Sequence, residues 1–127
     1  MRHLVVSIEQ ACAIAYEAYR AYSRFVLREE NIPAWEYAPQ AERDRLRVVV
    51  IETATRWWQP RDIHAAWLIT HTNQGWRYGP EKDPLQKEHP SIRPWDELTP
   101  AQQHQDILFH AIVGSLTRDP DARARSY

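Results

Sequence analysis

The first hydrophobic pattern along the chain has helical spacing. Apolar side chains recur at steps of three and four residues, at Ile8, Cys12, Ala15, Tyr19, Tyr22 and Val26. Ser7 is a favoured N-cap, and Gln10 three residues later completes a capping-box pattern. The pattern predicts a helix over residues 7–29, followed by a packed, proline-bracketed loop around Trp35 and Tyr37.

Two further stretches with helical spacing follow this loop. Residues 40–58 place their apolar positions opposite a charged face. The run VVVI at 48–51 also suits a buried strand, but the length of the stretch and its charged flanks favour a helix. A third helix is predicted over residues 61–74, with Pro60 at its start and Gly75 ending it in a left-handed conformation.

The segment from Gly75 to Pro100 is too rich in glycine and proline for a regular helix. It contains two glycines and five prolines in 26 residues, so we expect turns and up to two short strands. Thr99 as an N-cap, with Pro100 behind it, predicts a fourth helix over residues 100–117. His104 lies on the apolar stripe of that helix and is expected to be a hydrogen-bonded core imidazole.

These elements together predict a mostly α protein with a single domain over residues 1–127. Four helices are expected, with a long ordered loop, able to hold one or two short β-strands, between helices 3 and 4. The N-terminal segment 7–58 is helical, and the segment 60–117 carries the motif described below. The tail 118–127 has no apolar periodicity and is expected to be frayed.

Charge and cysteine content limit the partners and the cellular location that we expect for this protein. The 16 Lys and Arg against 17 Asp and Glu give a net charge of −1, so nucleic acid is not expected as a partner. Cys12 is the one cysteine, which excludes a disulfide framework and favours a cytoplasmic location. Glu9 and Glu17 interrupt the apolar N-terminus well before the roughly 18 apolar residues of a membrane span, so we expect neither a span nor a signal peptide.

Patterns typical of metal binding and catalysis are weak in this sequence. His64 and His71 are seven residues apart, about 10 Å along a helix, which is too far for both to bind one ion. Zinc-type spacings of His and Cys and the nucleophile-elbow pattern are missing, and Cys12 falls on an apolar helix face. We therefore expect no metal, no cofactor, no catalytic residue and no enzymatic activity.

From residue 64 onward the order of residues follows a known pattern. A helix carries a His and a Trp, and a Gly-Trp-x-Tyr-Gly turn, an acidic-basic loop, a His-Pro pair and a Pro-aromatic-x-x-Leu segment follow. The matching positions are His64, Trp67, Gly75, Trp76, Tyr78, Gly79, Lys82, Asp83, Lys87, His89, Pro90, Pro94, Trp95, Glu97 and Leu98. The chain thus resembles the ryanodine receptor repeat (RyR) domain, and its first half looks more loosely like the leading segment of single-repeat proteins of bacteria and phages.

This resemblance implies a mostly helical module that is not an enzyme. In prokaryotic chains the same module is a suspected binder of small ligands, for which nucleotide-derived messengers are a frequent proposal. The receptors carry adjoining pairs of the repeat, whereas this chain holds one copy. A homodimer that recreates the pair is therefore expected, in a protein of bacterial or phage type.

The residues between 75 and 87 suit a small anionic ligand. Trp76 and Tyr78 alternate with Arg77, and two lysines follow. Aromatic faces can stack on a planar base while cations pair with a phosphate, although burial of the two rings against the helices would explain the pattern equally well. We predict a pocket formed by the third helix and the GWRYGP loop, with the ligand-binding residues His64, Trp67, Trp76, Tyr78, Lys82, Lys87 and His89.

An interaction module without a small ligand is the alternative function. Trp57 and Trp58 are adjacent, so on a helix their rings point about 100° apart and at least one lies at the rim of the core or in an interface. Trp58 is the predicted interface residue, in a homodimer or with another protein partner.

Overall fold

A computed structural model describes residues 2–29 and 31–119 and is dominated by helices that pack against one another. In this part of the chain the helices are α1 (Ile8–Phe25), α2 (Gln40–Arg56), α3 (Pro60–Asn73) and α4 (Pro100–Ser115). The predicted mostly α fold with four helices is confirmed. None of these helices is long and apolar enough to cross a membrane.

The described part of the chain also contains four short strands, which form two pairs. They are β1 (His3–Leu4), β2 (Arg77–Tyr78), β3 (Glu88–His89) and β4 (Thr117–Arg118). Strands β2 and β3 are parallel and lie in the loop between α3 and α4, where short strands are predicted. Strands β1 and β4 are antiparallel and join the two ends of the described chain, which the hydrophobic pattern does not predict.

Strand β4 corrects the expected start of a frayed tail at residue 118. Thr117 and Arg118 pair with Leu4 and His3, and Thr117 is buried. A contact between positions this far apart in sequence leaves no trace in local periodicity, which is why the expectation was wrong at Arg118. The expectation for residues 120–127 lies outside the described residues.

Helix α1 begins as predicted and ends at Phe25, before the predicted residue 29. Ser7 Oγ accepts a hydrogen bond from the Gln10 backbone N–H at 3.1 Å, and the Gln10 side chain accepts one from the Ser7 N–H at 3.0 Å. Arg28 then adopts a left-handed conformation with φ 61°, which reverses the chain. The turn directs Glu29 back toward the helices.

The core lies where α1 packs against α2 and α4. Its buried apolar residues are Ala11, Cys12, Ala15, Tyr16, Ala38, Leu46, Val49, Val50, Ala54, Ile63, Phe109 and Val113. Cys12 is fully buried, and burial raises the pKa of its thiol to about 11. The thiol is therefore neutral at physiological pH and packs as a small apolar group.

The proline-bracketed loop forms a short 3-10 turn at Trp35–Tyr37. Trp35 packs against Tyr16 of α1, with ring centroids 5.4 Å apart, as expected for a packed loop. Tyr37 instead is 75% exposed.

The Trp57–Trp58 pair lies beyond α2, not on it. Helix α2 ends at Arg56 because Trp57 takes a left-handed conformation with φ 55°. The Trp57 ring lies between Gly114 of α4 and the Arg2 guanidinium, which is 4.0 Å from the ring centroid. Trp58 is half-buried and packs against the core. Because neither Trp is helical, the directions expected for their rings from helical spacing do not apply.

The buried face of α4 differs from the predicted stripe. His104 is exposed, whereas Phe109 and Val113 are buried, so the expected core imidazole at His104 is wrong. The inward face of α4 also carries the polar residues Gln105 and Asp106. Apolar spacing alone therefore placed His104 on the wrong face of this helix.

Glycines set the geometry of the loop between α3 and α4. Gly75 has φ 90°, the left-handed conformation predicted for the end of α3. At Gly79 a Cβ would lie 2.5 Å from the Cβ of Glu88, so the close approach of β2 and β3 requires glycine. The loop is thereby folded against α3, with His89 buried.

Candidate functional site

One face of α3 carries a row of aromatic and imidazole rings. His64, Trp67 and His71 are three and four residues apart, which places them on the same side of the helix. The ring centroids of His64 and Trp67 are 5.7 Å apart, and those of Trp67 and His71 are 4.2 Å apart. Both pairs are stacked, so α3 presents a continuous wall of rings.

The loop after α3 completes this ring cluster. His89 of β3 meets Trp67 edge-on at 5.1 Å, and Trp76 meets His71 edge-on at 5.9 Å. Trp76 also lies 6.3 Å from His89. Four predicted site residues, His64, Trp67, Trp76 and His89, are therefore brought together, but mainly against one another.

Tyr78 and Lys87 lie away from the ring cluster. Tyr78 is 47% exposed, and Arg93 stacks over its ring at 4.3 Å and donates a hydrogen bond to its hydroxyl. Lys87 Nζ donates to the Gln74 carbonyl at 2.6 Å, where it caps the C-terminus of α3. The structure thus gives both residues local partners in the loop.

Glu29 links the ring cluster to the end of α1. Its side chain is only 9% exposed, and its Oε1 accepts a hydrogen bond from His89 Nε2 at 3.2 Å. Its Oε2 lies 3.7 Å from Lys82 Nζ. Burial raises the pKa of Glu29, but the His89 and Lys82 contacts outweigh burial and hold it below its usual value. Sequence reasoning missed Glu29 because only the left-handed turn at Arg28 brings it here.

An open cleft of about 730 Å³ lies beside this bridge. One wall is the segment after α1, with residues 26–29 and Asn31. The opposite wall is formed by residues 80–82 and three further positions of the loop, and Thr99 and Gln102 at the start of α4 lie between the walls.

The position of this cleft differs from that of the predicted pocket. The prediction placed the pocket between α3 and the GWRYGP loop, where the Trp76 ring packs instead on His71 and His89. Of the seven predicted ligand-binding residues, Lys82 lines the cleft, while Trp76, Tyr78 and Lys87 do not. Ring stacking within the protein therefore replaces the expected stacking on a ligand.

A small inner chamber of about 30 Å³ lies below the cleft. Ser91 and Gln102 line both spaces, so the chamber adjoins the cleft. The ring cluster supplies three more of its lining residues, His64, Trp67 and His89, and α1 supplies Tyr19.

Asp106 of α4 is the acidic group of the chamber. Its Oδ2 lies 3.9 Å from Nδ1 of His64, and His64 Nε2 lies 2.6 Å from the carbonyl oxygen of Arg93. Burial raises the pKa of Asp106 to about 7, and burial also lowers the pKa of His64. The sequence contains one indication that Asp106 points inward. Asp106 shares a helix face with Gln102, Phe109 and Val113, which are spaced at steps of three and four residues.

In the ranges 2–29 and 31–119, no group of three His, Cys, Asp or Glu side chains is placed to hold a metal ion.

Comparison with known proteins gives one result, a match to a family model. The model described as RyR domain matches residues 58–111, which span α3, the loop and most of α4. Helices α1 and α2 lie outside the matched segment. No curated protein and no solved structure matches the chain significantly.

Proposed function

Because residues 58–111 match the RyR domain model, we propose that this protein is a non-catalytic module that binds a small anionic ligand in the cleft between that segment and the end of α1. The single observation that carries the proposal is the cleft itself. Its volume of about 730 Å³ falls within the range of roughly 300–1,000 Å³ common for small-molecule sites. Arg28 and Lys82 line opposite walls of the cleft.

The charges of the cleft favour an anionic group on the ligand. Arg28 makes no ion pair with any of the described residues, and the pair between Lys82 and Glu29 is long at 3.7 Å. The cleft also has two acidic lining residues, Glu29 and Glu81, and Glu29 is paired with His89. Arg28 and Lys82 are therefore the groups that would hold an anion.

The apolar part of the cleft suits a flat, weakly polar group. It is formed by Val26 and Leu27 on one wall and by Pro80, Pro84 and Pro90 on the other. A ligand that combines a planar base with phosphate would use both the apolar and the cationic surface. We therefore propose a nucleotide-derived ligand.

The proposal of a non-catalytic role rests on how the titratable groups are used. Glu29 is paired with His89 at 3.2 Å, and the second ring nitrogen of His89 accepts from the Ser91 N–H at 2.9 Å. Groups that are engaged in this way hold the walls of the cleft together. A general base instead needs a free position within reach of a substrate proton.

The chain's two lysines provide a matched test of ligand binding. Mass spectrometry of small molecules released from purified protein identifies a co-purified ligand, and a thermal-shift screen of nucleotides finds others, since a ligand stabilises by mass action. Lys82→Ala should reduce affinity at least tenfold, because it removes a cation that lines the cleft. Lys87→Ala should keep the affinity, because Lys87 caps α3 away from the cleft.

Two results would contradict this proposal. Equal loss of affinity in Lys82→Ala and Lys87→Ala would show that the cleft is not the site. Chromatography that shows a nucleotide consumed during incubation with the protein would reject the non-catalytic role.

An interaction module, including a homodimer, is the second candidate. The observation in its favour is an exposed apolar face on α2, where Val48 and Ile51 are 58% and 43% exposed and lie three residues apart. Trp58, the predicted interface residue, is half-buried and offers less surface. Val48→Glu should convert a dimer to a monomer by light scattering, whereas a wild-type protein that is already monomeric would remove this candidate. The cytoplasmic location and the bacterial or phage source stay predictions.

A further inference from the structure

Helix α1 carries a second row of apolar residues on the side that faces away from the core. We call this row the outer stripe, and its members are Ile14, Ala18, Ala21 and Phe25. They follow one another at steps of four, three and four residues, so they share one face of the helix. Ile14 is 44% exposed, Phe25 is 69% exposed, and Ala21 is exposed as well. This spacing is typical of a seam between two packed helices.

The outer stripe has the same pattern in both directions along the helix. A large residue is followed by two alanines and then by a second large residue, and the steps of four, three and four are symmetric as well. When two copies of α1 pack antiparallel, Ile14 of one copy lies opposite Phe25 of the other. Ala18 then lies opposite Ala21, and these small side chains let the two helices approach closely. The stripe is therefore complementary to itself, as a two-fold interface requires.

Two charged residues beside the outer stripe favour the same pairing. Glu17 and Arg24 are seven residues apart, so both lie along the same edge of the stripe. The Arg24 guanidinium lies 5.3 Å from the centroid of the Phe25 ring, and Arg24 forms no ion pair within the described part of the chain. Antiparallel packing brings it next to Glu17 of the second copy, whose carboxylate already meets Arg20 of its own chain at 3.0 Å. The two-fold axis forms this contact twice.

We propose that the outer stripe is the surface through which two copies of this chain associate, with their α1 helices antiparallel about a two-fold axis between Ala18 and Ala21. The inference goes beyond the proposed ligand binding, because no residue of the stripe lines the cleft. It also assigns the interface to a different helix from the exposed face of α2.

Three exposed isoleucines on three helices provide a matched test. Ile14 of α1, Ile51 of α2 and Ile69 of α3 are 44%, 43% and 62% exposed, so glutamate at each should leave the helix content in circular dichroism unchanged. Ile14→Glu should convert the dimer to a monomer by light scattering, whereas Ile51→Glu and Ile69→Glu should keep the dimer mass. A wild-type protein that stays monomeric at every concentration, or a dimer that only Ile51→Glu disrupts, would overturn the inference.

Charge reversal tests the pairing without changing the outer stripe itself. Arg24→Glu should raise the dissociation constant of the dimer about tenfold, because two symmetry-related pairs change from attraction to repulsion. Adding Glu17→Arg exchanges the two charges and should restore most of the affinity. Arg61→Glu, at a cation of α3 whose side chain is 62% exposed, is the control and should have no effect. Equal weakening in the single and the double variant would overturn the antiparallel pairing.

Mixed cysteine variants test the direction of the two helices. Ile14→Cys and Phe25→Cys, mixed in equal amounts and mildly oxidised, should form a disulfide-linked dimer only in the mixture, because each cysteine faces the other position. Cys12 does not interfere, since it is fully buried. A linked dimer formed by Ile14→Cys alone would indicate parallel helices and overturn the inference.

Discussion

At the scale of single residues, Asp106 is an acid whose pKa is strongly changed by burial. Burial raises its pKa from 3.8 to about 7, and the attraction of Arg45 only partly opposes this. An acid whose pKa is raised on folding favours the folded state below its unfolded pKa, and that contribution is lost as the pH rises through the folded value. Near neutral pH, therefore, the Asp106 carboxylate opposes folding.

Asp106→Asn should therefore stabilise the protein at high pH. The amide is neutral at every pH, so the free energy of unfolding of the variant should exceed that of wild type increasingly between about pH 4 and pH 8. The difference should grow by at most about 1.4 kcal/mol per pH unit. Urea unfolding at several pH values measures this, with Asp96→Asn as the exposed control. Parallel pH curves for Asp106→Asn and wild type would contradict the prediction.

At the scale of elements, local chemistry explains which features the sequence predicts. The starts of α1 and α4 follow from the capping pairs of Ser7 and Thr99, and the end of α3 follows from Gly75, because each signal acts within a few residues. The buried face of α4 was not predicted, since polar Asp106 points inward. The position of Glu29 depends on a left-handed turn, which no periodicity encodes.

The paired strands β2 and β3 give a prediction at this scale. Gly79→Ala should lower stability by about 1–3 kcal/mol, because the new Cβ would lie 2.5 Å from the Cβ of Glu88 and push the strands apart. Thermal unfolding measures the loss, and amide exchange at Arg77, whose N–H donates to the Lys87 carbonyl at 2.8 Å, reports on the pair.

A double-mutant cycle identifies the cause of that loss. Glu88→Gly removes the opposing Cβ, so Gly79→Ala should cost much less in that background. The same cost in both backgrounds would show that the contact with Glu88 is not responsible.

At the scale of the whole molecule, Trp57 joins the N-terminal segment to helix α4. Its ring meets Gly114 and His110 of α4, with the His110 ring centroid 4.3 Å away, and Arg2 stacks on it. Its left-handed backbone, with φ 55°, is unfavourable for any residue that has a Cβ. The contacts of the ring therefore hold a strained junction between α2 and α3.

This strain predicts that glycine is a less destabilising replacement for Trp57 than alanine is. Trp57→Ala loses the ring and keeps the strain, so it should be less stable than Trp57→Gly, which loses the ring and relieves the strain. The expected difference is about 1 kcal/mol, measured by urea unfolding. Greater stability of Trp57→Ala would show that the junction is not strained.

The contact between Glu29 and His89 links the family-matched segment to the part of the chain that precedes it. His89 belongs to the family-matched segment, whereas Glu29 and the wall formed by residues 26–29 come from the extension that precedes it. A chain that shared only residues 58–111 would keep the ring cluster and lack half of the cleft. The cleft in which we propose a ligand is thus built jointly by the matched segment and by the end of α1.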